Sequence, residues 1–274
     1  MSGKVACVLQ GSRIYKDRIA ASNDALVDVL EDNGAIPAAK GKLRLHAVSG
    51  PMARNVPDLA LFMDAMAHHH PKDPLSQPAP EMSYTTAVQQ GTLPLPAAVA
   101  WTADIGICPV DPEVASICEQ AAQWFSSVGA TVVDACPDVH DAQELFQVAE
   151  AKRGHQQYVN RVFDFMSRFG LLCCPCAMVA PFDVDIRWIQ EVEGTKFDNY
   201  VDWMMMAYVF SLVDVPVLCL PCGMTADGRP VGLQIVGKPQ GEHALLAAAA
   251  AFEHTHPYAS MVPMQPVVKH LSKS

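Results

Sequence analysis

Two pairs of cysteines have a spacing that often binds zinc. Cys173 and Cys176 form one C-x-x-C pair, and Cys219 and Cys222 form the other. Both pairs close short apolar segments that resemble buried strands, and residues i and i+3 of a strand point to opposite faces of a sheet. We therefore predict that these cysteines are reduced thiols of the core, and a zinc site is the less favoured alternative.

The remaining residues with catalytic or metal-binding chemistry give weaker signals. Residues 68–70 are three consecutive histidines after a predicted helix, and a solvated run is the favoured interpretation. Ser126 and Ser127 precede Gly129 in a pattern that superficially resembles a nucleophile segment, but Gly129 is better explained as a helix stop. The sequence has no G-x-S-x-G elbow, P-loop or G-x-G-x-x-G motif. We predict no metal and no cofactor.

Composition and charge exclude several classes of function. Half of the 274 residues are apolar and 18% are charged, which is typical of a globular chain. The net charge is −10, from 29 acidic and 19 basic residues, so the chain lacks the basic surface that binds nucleic acid. No apolar stretch is long enough to cross a bilayer, and no membrane partner is expected. Cysteines in apolar surroundings predict reduced thiols and a cytoplasmic location.

Alternating helices and strands predict an α/β fold with a sheet that is covered on both faces. The predicted helices cover about residues 22–33, 55–67, 112–128, 141–168, 199–212 and 242–254. The predicted strands cover about residues 35–38, 99–105, 130–135, 171–174, 215–220 and 231–236. Residues 69–98 are rich in proline and polar groups, and they are predicted to form one long loop.

Three long segments match the pattern of a known family. They are SGPMARNVPDLALFMDAM at residues 49–66, VAWTADIG at 99–106 and PVLCLPCGMTADGRPVGLQIVG at 216–237. These segments resemble the G-P-M-A-R element, the strand that follows it and the C-terminal strand–turn–strand element of the amidase signature family. Residues 11–15 and 22–40 resemble the family's N-terminal G-S-x-x-Y and G-A-x-x-x-G-K elements.

The resemblance implies hydrolysis of carbon–nitrogen amide bonds by a Ser–cis-Ser–Lys triad. In the family both serines lie in a Ser/Gly-rich segment between the G-K and G-P-M-A-R elements, whereas only residues 41–48 join these elements here. The lysine segment of the family precedes the G-S-x-x-Y element, and Lys4 is too close to Gly11 to be its equivalent. Because a serine needs a base and its alkoxide needs amide donors, we expect no catalytic residue in this chain.

The resemblance also implies the domain organisation and the location of a pocket. We predict one incomplete amidase-signature-like domain over residues 1–274, a mixed β-sheet flanked by helices. Residues 1–42 are an N-terminal remnant, 43–274 are the C-terminal part, and an internal deletion lies near 41–48. The candidates for the substrate pocket are Trp188, Tyr200, Trp203 and Met204, and ordinary packing of these side chains is the favoured alternative.

Three functions stay open on the sequence alone. The first is an amidase-family protein that is catalytically impaired or inactive on its own and still binds a small amide. The second is a C–N hydrolase that uses a non-standard site or a partner chain, and the third, less favoured, is a zinc protein. An incomplete sheet should expose edges and apolar faces, so we also expect homo-oligomerisation.

Overall fold

The computed structural model describes residues 50–69, 77–90, 94–147 and 152–258, with the backbone alone for 152 and 153. The helices are α1 (Val56–Met66), α2 (Tyr84–Gln90), α3 (Pro112–Ser127), α4 (Ala142–Gln147), α5 (Lys152–Arg168), α6 (Met205–Tyr208) and α7 (Glu242–Thr255). The strands are β1 (Ala98–Trp101), β2 (Thr131–Asp134), β3 (Leu171–Pro175), β4 (Glu191–Val192), β5 (Thr195–Lys196), β6 (Val217–Met224) and β7 (Pro230–Gly237). The predictions for residues 11–48 and for His70 lie outside the described residues.

Five strands form one mixed sheet in the order β2-β1-β3-β7-β6. Strand β1 pairs in parallel with β2 and β3, whereas β7 pairs antiparallel with β3 and β6. Helix α3 connects β1 to its parallel neighbour β2, as a parallel pair requires. The mixed sheet flanked by helices confirms the predicted fold class.

Local capping chemistry explains why the helices begin where the sequence predicts. The Asn55 side chain accepts a hydrogen bond from the Asp58 amide at 2.7 Å, at the start of α1. The Asp111 carboxylate accepts bonds from the amides of Glu113 and Val114 at 2.9 and 3.2 Å, at the start of α3. Both helices carry a proline in the first turn. These two predicted helices are confirmed.

Helices and turns cover both faces of the sheet. Gln234 of β7 donates to the Met206 carbonyl at 3.3 Å, which places α6 on one face. Gly237 lies an odd number of residues from Gln234 along β7, so a side chain at this position would be on the other face of the sheet. There it would contact Leu245 of α7. Helix α3 lies on the α7 side, because the rings of Trp124 and Phe252 meet edge-to-face at 5.3 Å.

The predicted loop over residues 69–98 is wrong in part, because α2 forms within it. The first backbone amides of α2 find an acceptor elsewhere in the chain. The Asp64 carboxylate of α1 accepts hydrogen bonds from the amides of Tyr84 and Thr85 at 2.6 and 3.1 Å. Ser83 accepts from the Thr86 amide at 3.0 Å. A helix of seven residues is marginally stable by itself, so the hydrogen bonds to Asp64 of α1 decide whether α2 forms.

Two other predicted elements differ in the structure. Strand β1 ends at Trp101, not at residue 105, because the Asp104 carboxylate accepts from the Gly106 amide and turns the chain. The predicted helix 199–212 is instead two 3-10 helices, Asp202–Met204 and Val209–Leu212, on either side of α6. Side chains of α5 bind backbone carbonyls there, since Tyr158 donates to the Val209 carbonyl at 2.7 Å.

Candidate ligand site

A cavity of about 260 Å³ lies beside the carboxyl end of β3 and the amino end of β7. Its walls come from α3, the segment after β3, the first residues of β7 and the 3-10 helix at Trp203. The side chains that define it include Val114, Cys176, Phe182, Trp203 and Val231. Ligands commonly bind at the carboxyl ends of strands in open α/β sheets, and an apolar lining with few polar groups is typical of such sites.

Trp203 is an aromatic residue of the cavity wall. Its ring meets Phe182 edge-to-face at 5.6 Å and Tyr200 at 6.1 Å. The indole Nε1 is buried and has no hydrogen-bond partner among the residues that the structure describes. A buried unpaired donor costs about 1–3 kcal/mol.

The structure brings together two of the four predicted pocket residues. Trp203 lines the cavity, and Tyr200, which is 41% exposed, contacts the Trp203 ring. Trp188 and Met204 are half-buried and stand outside the cavity wall. Sequence reasoning missed Phe182, which follows a proline in an irregular segment and carries no periodic signal. The assignment of these residues to a substrate pocket stays a prediction.

A buried carboxylate fixes the segment that carries Trp203. Asp202 is 5% exposed, and its two oxygens accept four hydrogen bonds. One oxygen binds the amides of Gln143 and Gln147 of α4 at 2.8 and 3.1 Å. The other binds the Asp198 backbone amide at 3.2 Å and the Asn199 side chain at 2.9 Å. Asp202 therefore ties the Trp203 segment to α4.

The serines of the described ranges have no neighbouring base. Ser126 and Ser127 are the last two residues of α3, and the Ser127 hydroxyl donates to the Trp124 carbonyl at 2.7 Å. Gly129 adopts φ +96°, a left-handed conformation that ends the helix as predicted. The remaining described serines, at 83, 116, 167 and 211, bond to side chains of Thr86 and Gln120 or to backbone carbonyls. No described serine is bonded to a lysine or histidine.

In neither C-x-x-C pair do the two cysteines point toward each other. Cys222 is buried, with its sulfur 3.8 Å from that of Cys118 on α3, whereas Cys219 is exposed on the other side of the edge strand. In the other pair, Cys173 lies opposite Ile235 of β7 and Cys176 lies beside Gly232, so the two cysteines point to opposite faces of the sheet. In the ranges that the structure describes, no three His, Cys, Asp or Glu side chains are placed to hold a metal ion.

A family model described as Amidase matches residues 43–149 and 140–246 of this chain. The acylamidase of Rhodococcus erythropolis is 28% identical over 298 aligned positions, which cover 92% of this chain and 61% of that protein. The 298 positions outnumber the 274 residues of the chain, so the relative has residues with no counterpart here. The 6-aminohexanoate-cyclic-dimer hydrolase of Paenarthrobacter ureafaciens is 23% identical, over 79% of this chain and 55% of its own length.

Solved structures show the same fold. A bacterial aryl acylamidase of the amidase signature family superposes with a TM-score of 0.65 at 22% identity, over 77% of this chain and 53% of its own. The 6-aminohexanoate cyclic dimer hydrolase gives a TM-score of 0.62 at 22% identity, over 77% and 55% of the two chains. This chain thus spans between half and two thirds of the length of each of these relatives. The helices of the described ranges lack the length and hydropathy to cross a membrane. With its family motifs, its mixed sheet and these matches, the chain belongs to the amidase family.

Proposed function

We propose that this chain is an amidase-family protein that does not hydrolyse amides on its own and that binds a small, mainly apolar amide beside Trp203. The observation that carries the lack of activity is the junction at residues 41–48, which replaces the family's Ser/Gly-rich segment. Without that segment the chain lacks both the nucleophile and the amide donors of an oxyanion hole. Loss of one such donor already slows catalysis by about 10²–10³-fold.

Two further observations support the proposal of an inactive chain. The described serines bond to glutamine, threonine or backbone carbonyls, so none of them is activated by a base. The aligned length of the acylamidase exceeds this chain, which is compatible with an internal deletion near 41–48 in a single domain over residues 1–274.

The proposal of amide binding depends on the cavity and on the unpaired indole NH of Trp203. An apolar volume of about 260 Å³ accommodates a small aromatic or aliphatic group, and the Trp203 ring would turn to bring its buried NH, which has no partner among the described residues, to the carbonyl oxygen. The names of the relatives, an acylamidase and a cyclic amide hydrolase, point to amides as the ligand class.

Activity is tested on the purified full chain with a fluorophosphonate label and a panel of anilide and aliphatic amide substrates. We expect no labelled serine and no turnover above the uncatalysed rate. Turnover together with labelling of one serine, both abolished when that serine is changed to alanine, would establish a C–N hydrolase with a non-standard site. That result would overturn the proposal of an inactive chain and leave the binding proposal to its own test.

Binding is tested by titrating acetanilide and its carbonyl-free analogue N-ethylaniline while tryptophan fluorescence is recorded. We expect acetanilide to bind more tightly, because only it presents a carbonyl oxygen to Nε1. The Trp203→Phe variant keeps an aromatic ring but loses the donor, and it should reduce this preference about fivefold, the value of one neutral hydrogen bond of about 1 kcal/mol. Tyr200→Phe is the matched control and should keep the preference. Equal affinities in the wild-type chain would contradict the proposal.

We also propose that the chain associates with itself through β6. This strand is one of the two edges of the described sheet, and its residues Val217 and Met224 are 40% and 41% exposed. Exposed apolar edges promote pairing between chains. Sedimentation velocity of the wild-type chain and of Met224→Lys tests this proposal, and a wild-type monomer at all concentrations would contradict it.

The proposed location is the cytoplasm, where thiols stay reduced. The cysteines at 118, 173, 174 and 222 are buried as free thiols, which supports this assignment. Cell fractionation of the source organism with an antibody to the chain is the direct test, and a signal confined to a secreted fraction would contradict it.

A further inference from the structure

The turn between β6 and β7 reaches the wall of the candidate ligand cavity. Arg229 is the last residue of this turn, and the next residue, Pro230, begins β7 and lines the cavity. The Arg229 Nη1 atom donates a hydrogen bond to the Pro181 carbonyl at 3.1 Å. Pro181 and Phe182 line the same cavity from the segment after β3, residues 177–182, which we call the wall segment. This hydrogen bond therefore joins two parts of the cavity wall that are 48 positions apart in the chain.

Hydrogen bonds within the turn orient the Arg229 side chain before it meets the wall segment. Its Nε atom donates to the two carboxylate oxygens of Asp227 at 2.9 and 2.8 Å. The Arg229 amide donates to the Thr225 hydroxyl at 2.9 Å, and the Thr225 amide donates to the Arg229 carbonyl at 2.8 Å. Gly228 adopts φ +84°, a left-handed conformation that favours glycine, and so closes the turn. Because the guanidinium is planar, fixing Nε with a carboxylate also fixes the direction in which Nη1 points.

Two further hydrogen bonds complete a frame around the cavity. The Ala226 amide of the turn donates to the Glu113 carboxylate of α3 at 2.7 Å. The Asp111 amide, at the start of α3, donates to the Met178 carbonyl of the wall segment at 2.8 Å. The turn, the start of α3 and the wall segment are thus tied to one another in pairs, and the cavity lies among them. Of the three ties, the one between the turn and the wall segment lies next to Phe182.

The wall segment depends on such ties for its position. Residues 177–182 lie outside the helices and strands, so no ladder of backbone hydrogen bonds holds them. Pro181 has no amide hydrogen, and its carbonyl is the group through which its backbone can be bonded. The Phe182 ring that follows it meets the Trp203 ring edge-to-face at 5.6 Å. Loss of the bond from Arg229 would therefore free the part of the wall that packs against Trp203.

We propose that Arg229 is a positioning residue that holds the wall segment in place and so limits the size of the molecule that the cavity accepts. With the bond to Pro181 intact, the cavity keeps its volume of about 260 Å³, which suits a single small ring. Without that bond the wall segment moves outward, and a larger group fits beside Trp203. The choice of an amide as the ligand rests on the proposed function, whereas the position of the wall does not.

The half-buried thiol of Cys176 lines the cavity and reports its size without any ligand. The purified full chain is labelled with N-ethylmaleimide or with the bulkier pyrenylmaleimide, and mass spectrometry measures the rate at each cysteine. We expect Cys176 of the wild-type chain to prefer the small reagent. In Arg229→Ala this preference should fall about fivefold, the factor contributed by one hydrogen bond of about 1 kcal/mol. The exposed Cys219 should keep its ratio of rates, and the buried Cys118 should stay unlabelled. An unchanged ratio at Cys176, or labelling of Cys118 at the same time, would overturn the proposal.

Titration with two amides of different size supplies the second readout. The wild-type chain should bind acetanilide more tightly than 4-phenylacetanilide, and Arg229→Ala should reduce this preference about fivefold. Arg54→Ala is the matched control, because it removes an exposed arginine beside α1, and it should keep the wild-type preference. An unchanged preference in Arg229→Ala would count against the size limit. If neither amide binds, the proposed function fails, and the labelling ratios at Cys176 still decide whether Arg229 holds the wall segment.

Discussion

Replacing Asp202 tests whether its four hydrogen bonds hold the Trp203 segment in place. In Asp202→Ala the amides of Gln143 and Gln147, the Asp198 backbone amide and the Asn199 side chain lose their shared acceptor. In Asp202→Asn one oxygen remains for the donors within the segment. The new amide group then faces the two glutamines, which can turn their own oxygens toward it.

The magnitude follows from which donors regain a partner. Hydrogen bonds to a charged acceptor contribute about 1.5–3 kcal/mol each, but removal of Asp202 also ends the cost of burying its carboxylate at 5% exposure. Gln143 and Gln147 are exposed and regain water, so the net loss is that of about two donors. We expect Asp202→Ala to lower the free energy of unfolding by about 2–3 kcal/mol and Asp202→Asn by about 1 kcal/mol.

Urea unfolding followed by tryptophan fluorescence measures these changes. For a chain of this size, 2–3 kcal/mol corresponds to a decrease in Tm of about 4–10 °C. Asp164→Asn is the matched control, because Asp164 is exposed on α5, and it should change stability by less than about 0.5 kcal/mol. A change of that small size in Asp202→Ala, or equal losses in the alanine and asparagine variants, would refute the hydrogen-bond reasoning.

Three other perturbations test the packing, the caps and the surface charges. Phe252→Ala removes a ring that is 1% exposed, and calorimetry should record a loss of about 3–5 kcal/mol, against less than about 0.5 kcal/mol for the exposed Leu61→Ala. Asp111→Ala removes the cap of α3, and urea unfolding should record a loss of about 1–2 kcal/mol, whereas no loss would show that the cap is dispensable. The pKa of Asp227 is lowered by hydrogen bonds from Arg229 and Thr225. The contribution of these bonds to the free energy of unfolding is therefore present above the ordinary carboxyl pKa, and it is lost as the pH falls through the lowered pKa. Arg229→Gln should raise the Asp227 pKa in an NMR titration, and an unchanged midpoint would contradict this assignment.

The sequence predicted the parts of the candidate site that depend on local pattern and family resemblance. Trp203 was among the candidates, and it lines the cavity. Phe182 was not, because it lies in an irregular segment where no periodicity marks a buried side chain. The role of Asp202 was also hidden, since two of its donors come from α4, more than fifty positions earlier in the chain.

The two C-x-x-C motifs illustrate the same division. From spacing alone, each pair was expected to point to opposite faces of a sheet and not to converge. The structure agrees, and it also places the Cys222 sulfur 3.8 Å from that of Cys118 on α3. No local pattern predicts this contact, because the two residues are more than a hundred positions apart in the chain.

The sequence by itself determined the strongly capped helices α1 and α3, the apolar strands and the match to the amidase family pattern. These features depend on residues that are close together in the chain. Tertiary structure decided the rest: Asp64 of α1 supplies the acceptor for the first turn of α2, and side chains of α5 bind the carbonyls that break the predicted helix at 199–212. Such hydrogen bonds compete with local preference only after distant segments pack together, so their outcome follows from the fold and not from the pattern.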